Sequence, residues 1–175
     1  MLRILHKILQ TGTLTERAPK NDELEALGLE VKRYLDKHFR GSLAIRQVDA
    51  GSCNGCELEI HALNNPYYDI ERFGVHFVAS PRHADVLLVT GPVSRHMETA
   101  LRRTWRATPS PKYVIAAGTC ACDGGEFGIS YASCGAVENV IPVDLKIPGC
   151  PPAPLDLLRG LLVLLSTARA EIKTP

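Results

Sequence analysis

Two nearly continuous apolar runs, 85–90 and 112–117, constrain the fold more than any other feature of this sequence. Runs of this kind are typical of strands that are buried on both faces of a parallel sheet. They belong to a set of four segments of β type, at 43–49, 74–79, 85–90 and 112–117. Helical patterns alternate with them, at about 56–64, 95–107 and 153–170. This alternation predicts right-handed βαβ crossovers and a doubly wound α/β domain with a parallel sheet.

The residues before the first strand form a predicted N-terminal helical arm. Asp22 and Glu25 resemble a capping box, and apolar residues then recur at helical spacing until Gly41 ends the run. Further upstream, apolar residues share a helical face with basic residues off it: Leu2, Leu5 and Leu9 against Arg3 and Lys7. The opening segment is either a frayed terminus or a part that docks on a partner or a membrane surface. We therefore divide the chain into an arm, 1–41, and a main domain, 42–175.

The composition excludes several classes of function. Twenty basic and 19 acidic residues leave a net charge of +1, so the chain has no field that would steer nucleic acid. The longest apolar stretch, 160–165, is far shorter than the roughly 20 residues of a transmembrane helix. The first residues have a basic start but lack the long apolar core of a secretory signal. We therefore expect no transmembrane segment, no nucleic-acid partner and a reducing compartment.

Four of the six cysteines lie in turns that follow predicted strands or extended segments: Cys53, Cys56, Cys120 and Cys150. Because parallel strands end at the same edge of a sheet, we expect these turns to meet there. Cysteines in glycine-rich turns of a reduced protein are typical of metal ligands rather than disulfides. Four thiolates on a closely approaching backbone are what an iron–sulfur cluster needs, and the Cys-Pro step at 150 is also found in ferredoxins. The pattern predicts one 4Fe-4S cluster.

Other uses of these thiols remain open on the residues alone. A four-cysteine zinc site uses the same ligands, although structural zinc sites usually pair two short Cys-x-x-Cys motifs. A thioredoxin-like redox pair at 53–56 would leave Cys120 and Cys150 without a role. A flavodoxin-like flavoprotein lacks support, since no glycine-rich phosphate loop is present. Cys122 and Cys134 are interpreted as small packed thiols outside the cluster.

Five ordered motifs carry a resemblance to a known family: GSCNGCE at 51–57, ERFG at 71–74, SPRHAD at 80–85, GPV at 91–93 and PGCPP at 148–152. From about residue 43 to 168, the chain resembles the small subunit shared by membrane-bound energy-converting nickel–iron hydrogenases, formate hydrogenlyase and the 20 kDa subunit of complex I. The complex I branch typically has two adjacent cysteines at the first motif. The spacing Cys53-Asn54-Gly55-Cys56 resembles the hydrogenase branch instead.

The resemblance implies a flavodoxin-like domain, here 42–175, that carries a single 4Fe-4S cluster on Cys53, Cys56, Cys120 and Cys150. It implies a non-catalytic electron-transfer subunit of an oxidoreductase, which exchanges electrons with the nickel–iron site of a large subunit in a membrane-bound hydrogenase. The alternatives are the same role beside a quinone-site subunit of a complex I-like reductase, and a zinc-stabilised interaction domain. The implied partners are the large subunit, a ferredoxin-like iron–sulfur subunit and integral membrane subunits. The implied location is peripheral, on the cytoplasmic face of the cell membrane.

Four charged residues in or beside the motifs keep more than one interpretation each. A positive charge on Arg82 or His83 beside a cluster would raise its potential, whereas a loop pair of this kind is also typical of a solvated surface. Glu57 and Glu59 follow Cys56 and either carry protons, hold a subunit interface or belong to a solvated first helical turn. We assign no catalytic residue.

Overall fold

The computed structural model describes residues 2–12 and 21–172, with side chains described to residue 167 in the last helix. The α-helices in these residues are α1 (Leu2–Thr11), α2 (Asp22–His38), α3 (Gly55–Ala62), α4 (Arg95–Ala107), α5 (Thr119–Asp123) and α6 (Pro154–Ile172). The strands are β1 (Leu43–Asp49), β2 (Val75–Phe77), β3 (Val86–Thr90), β4 (Tyr113–Ala117) and β5 (Leu145–Ile147). None of the helices in the described residues is long and apolar enough to cross a bilayer.

The five strands form one parallel sheet in the order β2-β1-β3-β4-β5. This order is that of flavodoxin-like folds, so the predicted doubly wound α/β architecture with N-terminal helices is confirmed. The register brings the last residues of three strands to one level, because Thr90 pairs with Asp49 on one side and with Ala117 on the other. Ala117 in turn pairs with Ile147 of β5. The segments that follow these strands therefore start from the same edge.

Alternate residues of the central strands build two separate cores. Val86 and Leu88 of β3 point into a core that α2, α3 and α6 cover, together with Leu158 of α6. Leu87 and Val89 point into the opposite core, which α4 and α5 cover. All four strand side chains are buried, as the uninterrupted apolar run predicted. A sheet covered on both faces leaves its strand ends as the accessible place for a ligand.

Three predicted element boundaries are corrected. The segment predicted at 74–79 is a strand only over Val75–Phe77, and β5 was predicted only as an extended segment before Cys150. β5 has three residues, with exposed Lys146 between two apolar side chains, so its pattern is too short to identify as a strand. The turn at Cys120 is the helix α5.

The predicted capping box of α2 is wrong in its first residue. The N-cap is Asn21, whose side chain accepts a hydrogen bond from the backbone N–H of Leu24 at 3.1 Å. Asp22 is already the first helical residue, where its negative charge favours the positive end of the helix dipole. Glu25 does not return to the cap but pairs with Arg72 at 3.0 Å. Asparagine fits this position because its backbone is extended there.

Candidate metal centre at the carboxyl edge of the sheet

The four predicted ligand cysteines lie on segments that leave the sheet at its carboxyl edge. Cys53 lies in the turn after β1, and Cys56 is the second residue of α3. Cys120 is the second residue of α5, directly after β4, and Cys150 lies between β5 and α6. Cys53 and Cys150 are exposed, whereas the other two are half-buried. Residues separated by almost a hundred positions along the chain therefore share one edge of the sheet.

The turn after β1 is fixed by its own polar side chains. The Asp49 carboxylate accepts hydrogen bonds from the backbone N–H groups of Gly51 and Ser52, both at 2.8 Å. The Ser52 hydroxyl oxygen accepts a third bond from the N–H of Asn54 at 3.1 Å. Asn54 then takes a left-handed conformation, with φ of 72°, and α3 begins at the next residue. These bonds hold Cys53 between two constrained residues.

The turn after β1 packs closely on the end of β3. The backbone N–H of Ala50 donates to the carbonyl of Thr90 at 3.0 Å. Gly91 has φ of 75°, and a Cβ there would lie 2.4 Å from the backbone nitrogen of Ser52. Only glycine meets both conditions, because it lacks a Cβ and tolerates positive φ. The close approach fixes the Cys53 turn against the centre of the sheet.

The turns after β4 and β5 are joined by backbone hydrogen bonds. The N–H of Gly118 donates to the carbonyl of Ile147, and the N–H of Thr119 donates to that of Gly149, each at 2.8 Å. The Thr119 hydroxyl accepts from the N–H of Gly149 at 3.3 Å. Cys120 and Cys150, one residue further along each turn, are therefore carried on a single connected unit.

The four thiols lie close enough to influence one another's charge. Burial, followed by the negative charges of the neighbouring side chains, raises the pKa of Cys56 to about 11. Those neighbours are Glu57, Cys53, Cys120 and Cys150. Burial likewise raises the pKa of Cys120, followed by the charges of Cys150 and Cys53. Thiolates are therefore costly here unless a positive charge lies among them, and bound metal supplies such a charge.

The shape of the site fits a thiolate-bound group. Gly118 has φ of 91°, and a Cβ there would lie only 2.5 Å from the sulfur of Cys56. A Cβ at Gly55 would lie 3.6 Å from the sulfur of Cys53 and 3.9 Å from Pro151. Within residues 2–12 and 21–172, no three His, Cys, Asp or Glu side chains form a site for a single metal ion. The sulfur donors at this edge are four free thiols bordered by glycine and proline, a donor set with the chemistry that an iron–sulfur cluster requires.

Beside Cys56, a buried carboxylate links three elements. Glu57 is 6% exposed, and one of its oxygens accepts a hydrogen bond from the Ser52 hydroxyl at 2.6 Å. Its other oxygen accepts a bond from the hydroxyl of Thr90, which is fully buried at the end of β3. The interpretation of Glu57 as part of a solvated first helical turn is therefore wrong. Sequence reasoning missed Thr90, although a single hydroxyl closing an otherwise apolar strand was the available signal.

The two remaining cysteines are buried and form hydrogen bonds outside the group of four thiols. Cys122 is buried, its thiol donates to the carbonyl of Ala116 at 3.5 Å, and burial raises its pKa to about 11. Cys134 is also buried, and its thiol donates to Glu98 at 3.4 Å. Burial and that hydrogen bond raise the pKa of Cys134. The same hydrogen bond, followed by the one from Arg102, lowers the pKa of Glu98. Both thiols fit the interpretation as packed core residues.

The basic pair predicted near the motifs is exposed. Arg82 and His83 belong to a short 3₁₀ turn, Pro81–His83, that precedes the amino end of β3. The next strand residue, Val86, pairs with Ile45, four positions before β1 ends. Four strand residues span roughly 13 Å, so this level of the sheet is well removed from the carboxyl edge. The position favours a solvated surface in this chain. Glu59 is half-buried on α3.

An exposed apolar segment follows the Cys120 helix. Phe127, Ile129 and Tyr131 lie between α5 and Cys134 and are 63%, 73% and 98% exposed. Large apolar side chains are seldom clustered on the surface of a monomer unless they form a contact with something else. We name residues 127–131 the apolar loop.

The sequence profile described as "NADH ubiquinone oxidoreductase, 20 Kd subunit" matches residues 53–164. Formate hydrogenlyase subunit 7 of Escherichia coli (strain K12) is 44% identical over 142 residues, which are 81% of this chain and 56% of that protein. The chain therefore spans little more than half of that relative.

Two further relatives are covered over most of their length. The probable membrane-bound hydrogenase subunit mbhJ of Pyrococcus furiosus is 47% identical over 139 residues, which are 79% of this chain and 83% of that protein. A chain in the structure of the membrane-bound sulfane sulfur reductase, an archaeal respiratory membrane complex, superposes with a TM-score of 0.65 at 35% identity. That superposition covers 74% of this chain and 71% of the other.

Proposed function

Since the chain belongs to the 20 kDa subunit family of NADH ubiquinone oxidoreductase, we propose that it is an electron-transfer subunit carrying one 4Fe-4S cluster on Cys53, Cys56, Cys120 and Cys150. Its partner in this proposal is a large subunit with a nickel–iron site, in a membrane-bound complex that makes or consumes hydrogen. The chain itself contributes no catalytic residue. It sits peripherally on the cytoplasmic face of the membrane beside integral membrane subunits and a ferredoxin-like subunit.

The observation that carries the proposal is the convergence of four thiols from three strand exits on one edge of the sheet. A cluster bound there would supply one-electron transfer without a change in the protein's covalent structure. The chain holds the four sulfurs in place through the Asp49 turn and through the bonds between the turns after β4 and β5. Half-burial of Cys56 and Cys120 limits contact of that edge with water, which is one of the factors that set a cluster's potential.

The hydrogenase partner is favoured by the relatives of highest identity reported above. One is named as a formate hydrogenlyase subunit and the other as a probable membrane-bound hydrogenase subunit. The apolar loop supplies a surface for a large subunit close to the proposed cluster, because it begins four residues after α5 ends. Contact there would leave a short path between the cluster and a metal site in the partner.

A second function has a specific observation in its favour. The solved structure reported above is that of a sulfane sulfur reductase, and its chain covers a similar share of this one at 35% identity. The same cluster would then serve a reductase rather than a hydrogenase. The identity of the large subunit decides between the two, since a nickel–iron site takes its ligands from cysteines of that subunit.

Metal analysis of the anaerobically purified chain, with the subunits that accompany it, tests the cluster proposal. We expect about four irons per chain and an electron paramagnetic resonance signal after reduction with dithionite. Cys120→Ala should lose most of the iron and the signal, because it removes one of four ligands. Nickel in an accompanying large subunit, together with hydrogen uptake or evolution, identifies the hydrogenase function.

The matched control is Cys122→Ala, two residues further along the same helix. Its thiol is buried against Ala116, so the variant should keep the iron and the signal. The metal analysis is done under conditions that preserve the cluster of a known ferredoxin. If the parent chain then contains one zinc and no iron, the site is a structural zinc site and the cluster proposal is wrong. Equal iron loss in both variants would remove Cys120 from the ligand set. Iron without nickel, and with reductase activity, would favour the second function.

A further inference from the structure

The helix α1 divides its residues completely into an apolar and a polar face. At 3.6 residues per turn, the apolar side chains fall within one half of the helix circumference. They are Leu2, Ile4, Leu5, Ile8 and Leu9. The polar side chains fill the other half: Arg3, His6, Lys7, Gln10 and Thr11. No acidic residue occurs between residues 2 and 12, so the polar face carries positive charge only.

Within the part of the chain that the structure describes, the apolar face of α1 buries no side chain. Its five side chains are between 55% and 83% exposed, and every residue from 2 to 12 is exposed. The next helix contrasts with it, because α2 buries Leu24, Val31 and Leu35 in the core. A helix of ten residues is marginal in water without a surface to pack on. Among the described residues, the apolar face of α1 therefore lacks the apolar packing partner that an amphipathic helix requires.

We propose that α1 lies flat on the surface of an anionic lipid bilayer, with its apolar face among the acyl chains and Arg3 and Lys7 against the lipid phosphates. The ten residues are about 15 Å long, half of the roughly 30 Å hydrocarbon core, so they suit the interface and not a span. An apolar half of leucine and isoleucine opposite a basic polar half is the composition of interfacial helices. Charge complementarity identifies the lipid, since anionic headgroups attract basic residues beside a membrane.

This inference deepens the proposed membrane location but does not depend on the cluster. Arg3 and Lys7 are one turn apart on the polar half, and side chains of this length reach back toward a membrane interface from such positions. An apolar protein groove would hold the same face and leave those two side chains in solvent, so a dependence of binding on their charge distinguishes the lipid surface. Binding of α1 to a protein partner in place of lipid would count against the proposal.

Co-flotation of the full chain with vesicles tests the proposal. Vesicles of phosphatidylcholine alone are compared with vesicles that also contain phosphatidylglycerol. We expect binding to the anionic vesicles, weakened by salt. Ile8→Glu should abolish it by placing a charge on the apolar face. Arg3→Gln with Lys7→Gln should weaken binding to anionic vesicles roughly 30-fold, from the usual contribution of two basic residues at a membrane surface.

The helix α2 offers a matched control for each change. Leu29→Glu places the same charge at an apolar side chain that is 51% exposed. Arg33→Gln with Lys37→Gln removes an exposed basic pair at the same four-residue spacing. Both controls should bind vesicles as the parent chain does. Because all the altered side chains are exposed, the circular dichroism melting curves of the variants should remain those of the parent.

Three results would overturn the inference. They are a parent chain that floats with neither vesicle type, an Ile8→Glu variant that floats as well as the parent, and α2 controls that lose binding equally. A different pair of results would assign α1 to a protein groove. In that case the parent chain binds no lipid, and Ile8→Glu loses a protein partner that the parent keeps in detergent. The cluster proposal is separated by its own readout, since Ile8→Glu should keep its iron and Cys120→Ala should still bind vesicles.

Discussion

At the scale of single residues, the candidate site depends on side chains that do not touch a ligand. Glu57 is buried directly after Cys56 and takes hydrogen bonds from hydroxyls of two other segments, Ser52 before α3 and Thr90 at the end of β3. A buried carboxylate is tolerated only when its oxygens are hydrogen-bonded. Because the Ser52 hydroxyl also accepts from Asn54, the carboxylate supports the backbone on both sides of Cys53. Glu57 is therefore a positioning residue.

Thr90→Val tests this positioning. Valine keeps the shape of threonine but removes the hydroxyl, so one Glu57 oxygen loses its donor inside the protein. We expect the free energy of unfolding to fall by about 1–3 kcal/mol, and the reduced protein to retain less iron during anaerobic gel filtration. Urea unfolding and iron analysis measure the two effects.

The control for Thr90→Val is Thr108→Val, a second buried threonine, whose hydroxyl donates to the carbonyl of Thr104 at 3.0 Å. That bond involves no charged acceptor, so its loss should cost about 0.5–1.5 kcal/mol and leave the iron content unchanged. Equal iron retention by the two variants would show that the Glu57 contacts stabilise the domain without positioning Cys53.

At the scale of elements, the contact between α2 and the rest of the domain depends on one glycine. A Cβ at Gly28 would lie 2.2 Å from two ring carbons of Phe73, which is buried in the turn before β2. Arg72, next to that ring, also pairs with Glu25 of α2 at 3.0 Å. The glycine thus lets α2 approach the ring closely, at the cost of a weaker intrinsic preference for helix.

Gly28→Ala should destabilise the protein although alanine favours helix by about 1 kcal/mol. The added methyl group forces Phe73 or α2 to move, and we expect a net loss of about 1–3 kcal/mol in urea unfolding. In a Phe73→Leu background the same change should cost less, because the ring carbons are gone. Lys32→Ala, at an exposed position of α2, should change stability by less than about 0.5 kcal/mol. A Gly28→Ala protein as stable as the parent would mean that α2 shifts away from Phe73 without lowering the free energy of unfolding.

At the scale of the whole molecule, the chain exposes more apolar surface than its own fold explains. The apolar loop beside the proposed cluster and the apolar face of α1 are both exposed. They differ in charge, because α1 carries basic residues and the apolar loop has none. The loop therefore suits an apolar protein surface, and α1 suits an anionic one. A subunit with two such surfaces should associate with itself when it is isolated from its complex.

Phe127→Ser with Tyr131→Ser should reduce that association. Both side chains are more than half exposed, so their removal should lower the association constant in sedimentation equilibrium without changing unfolding by more than about 0.5 kcal/mol. The matched control is Leu29→Ser with Val163→Ser, two apolar residues that are half-exposed on different helices. A control that reduces association as strongly would mean that total apolar exposure, rather than the apolar loop, drives it.

The sequence by itself determined the class of fold and the edge of the sheet where the cysteine turns lie. The apolar runs at 85–90 and 112–117 identify strands buried on both faces, and helical patterns between them require parallel connections. Four cysteines after strands or extended segments then belong to the carboxyl edge by topology alone. These inferences depend only on local patterns along the chain, and the folded structure keeps those patterns.

Only the tertiary structure decided which residues support that edge. Glu57 and Thr90 are 33 positions apart, and Ser52 meets Gly91 through a close backbone approach that no local pattern reveals. The short strand β5 exists because its three residues pair with β4, not because of their own sequence preference. Burial of a carboxylate and the spacing of thiols arise from packing between distant segments. Periodicity along the chain does not contain that information, and the folded molecule does.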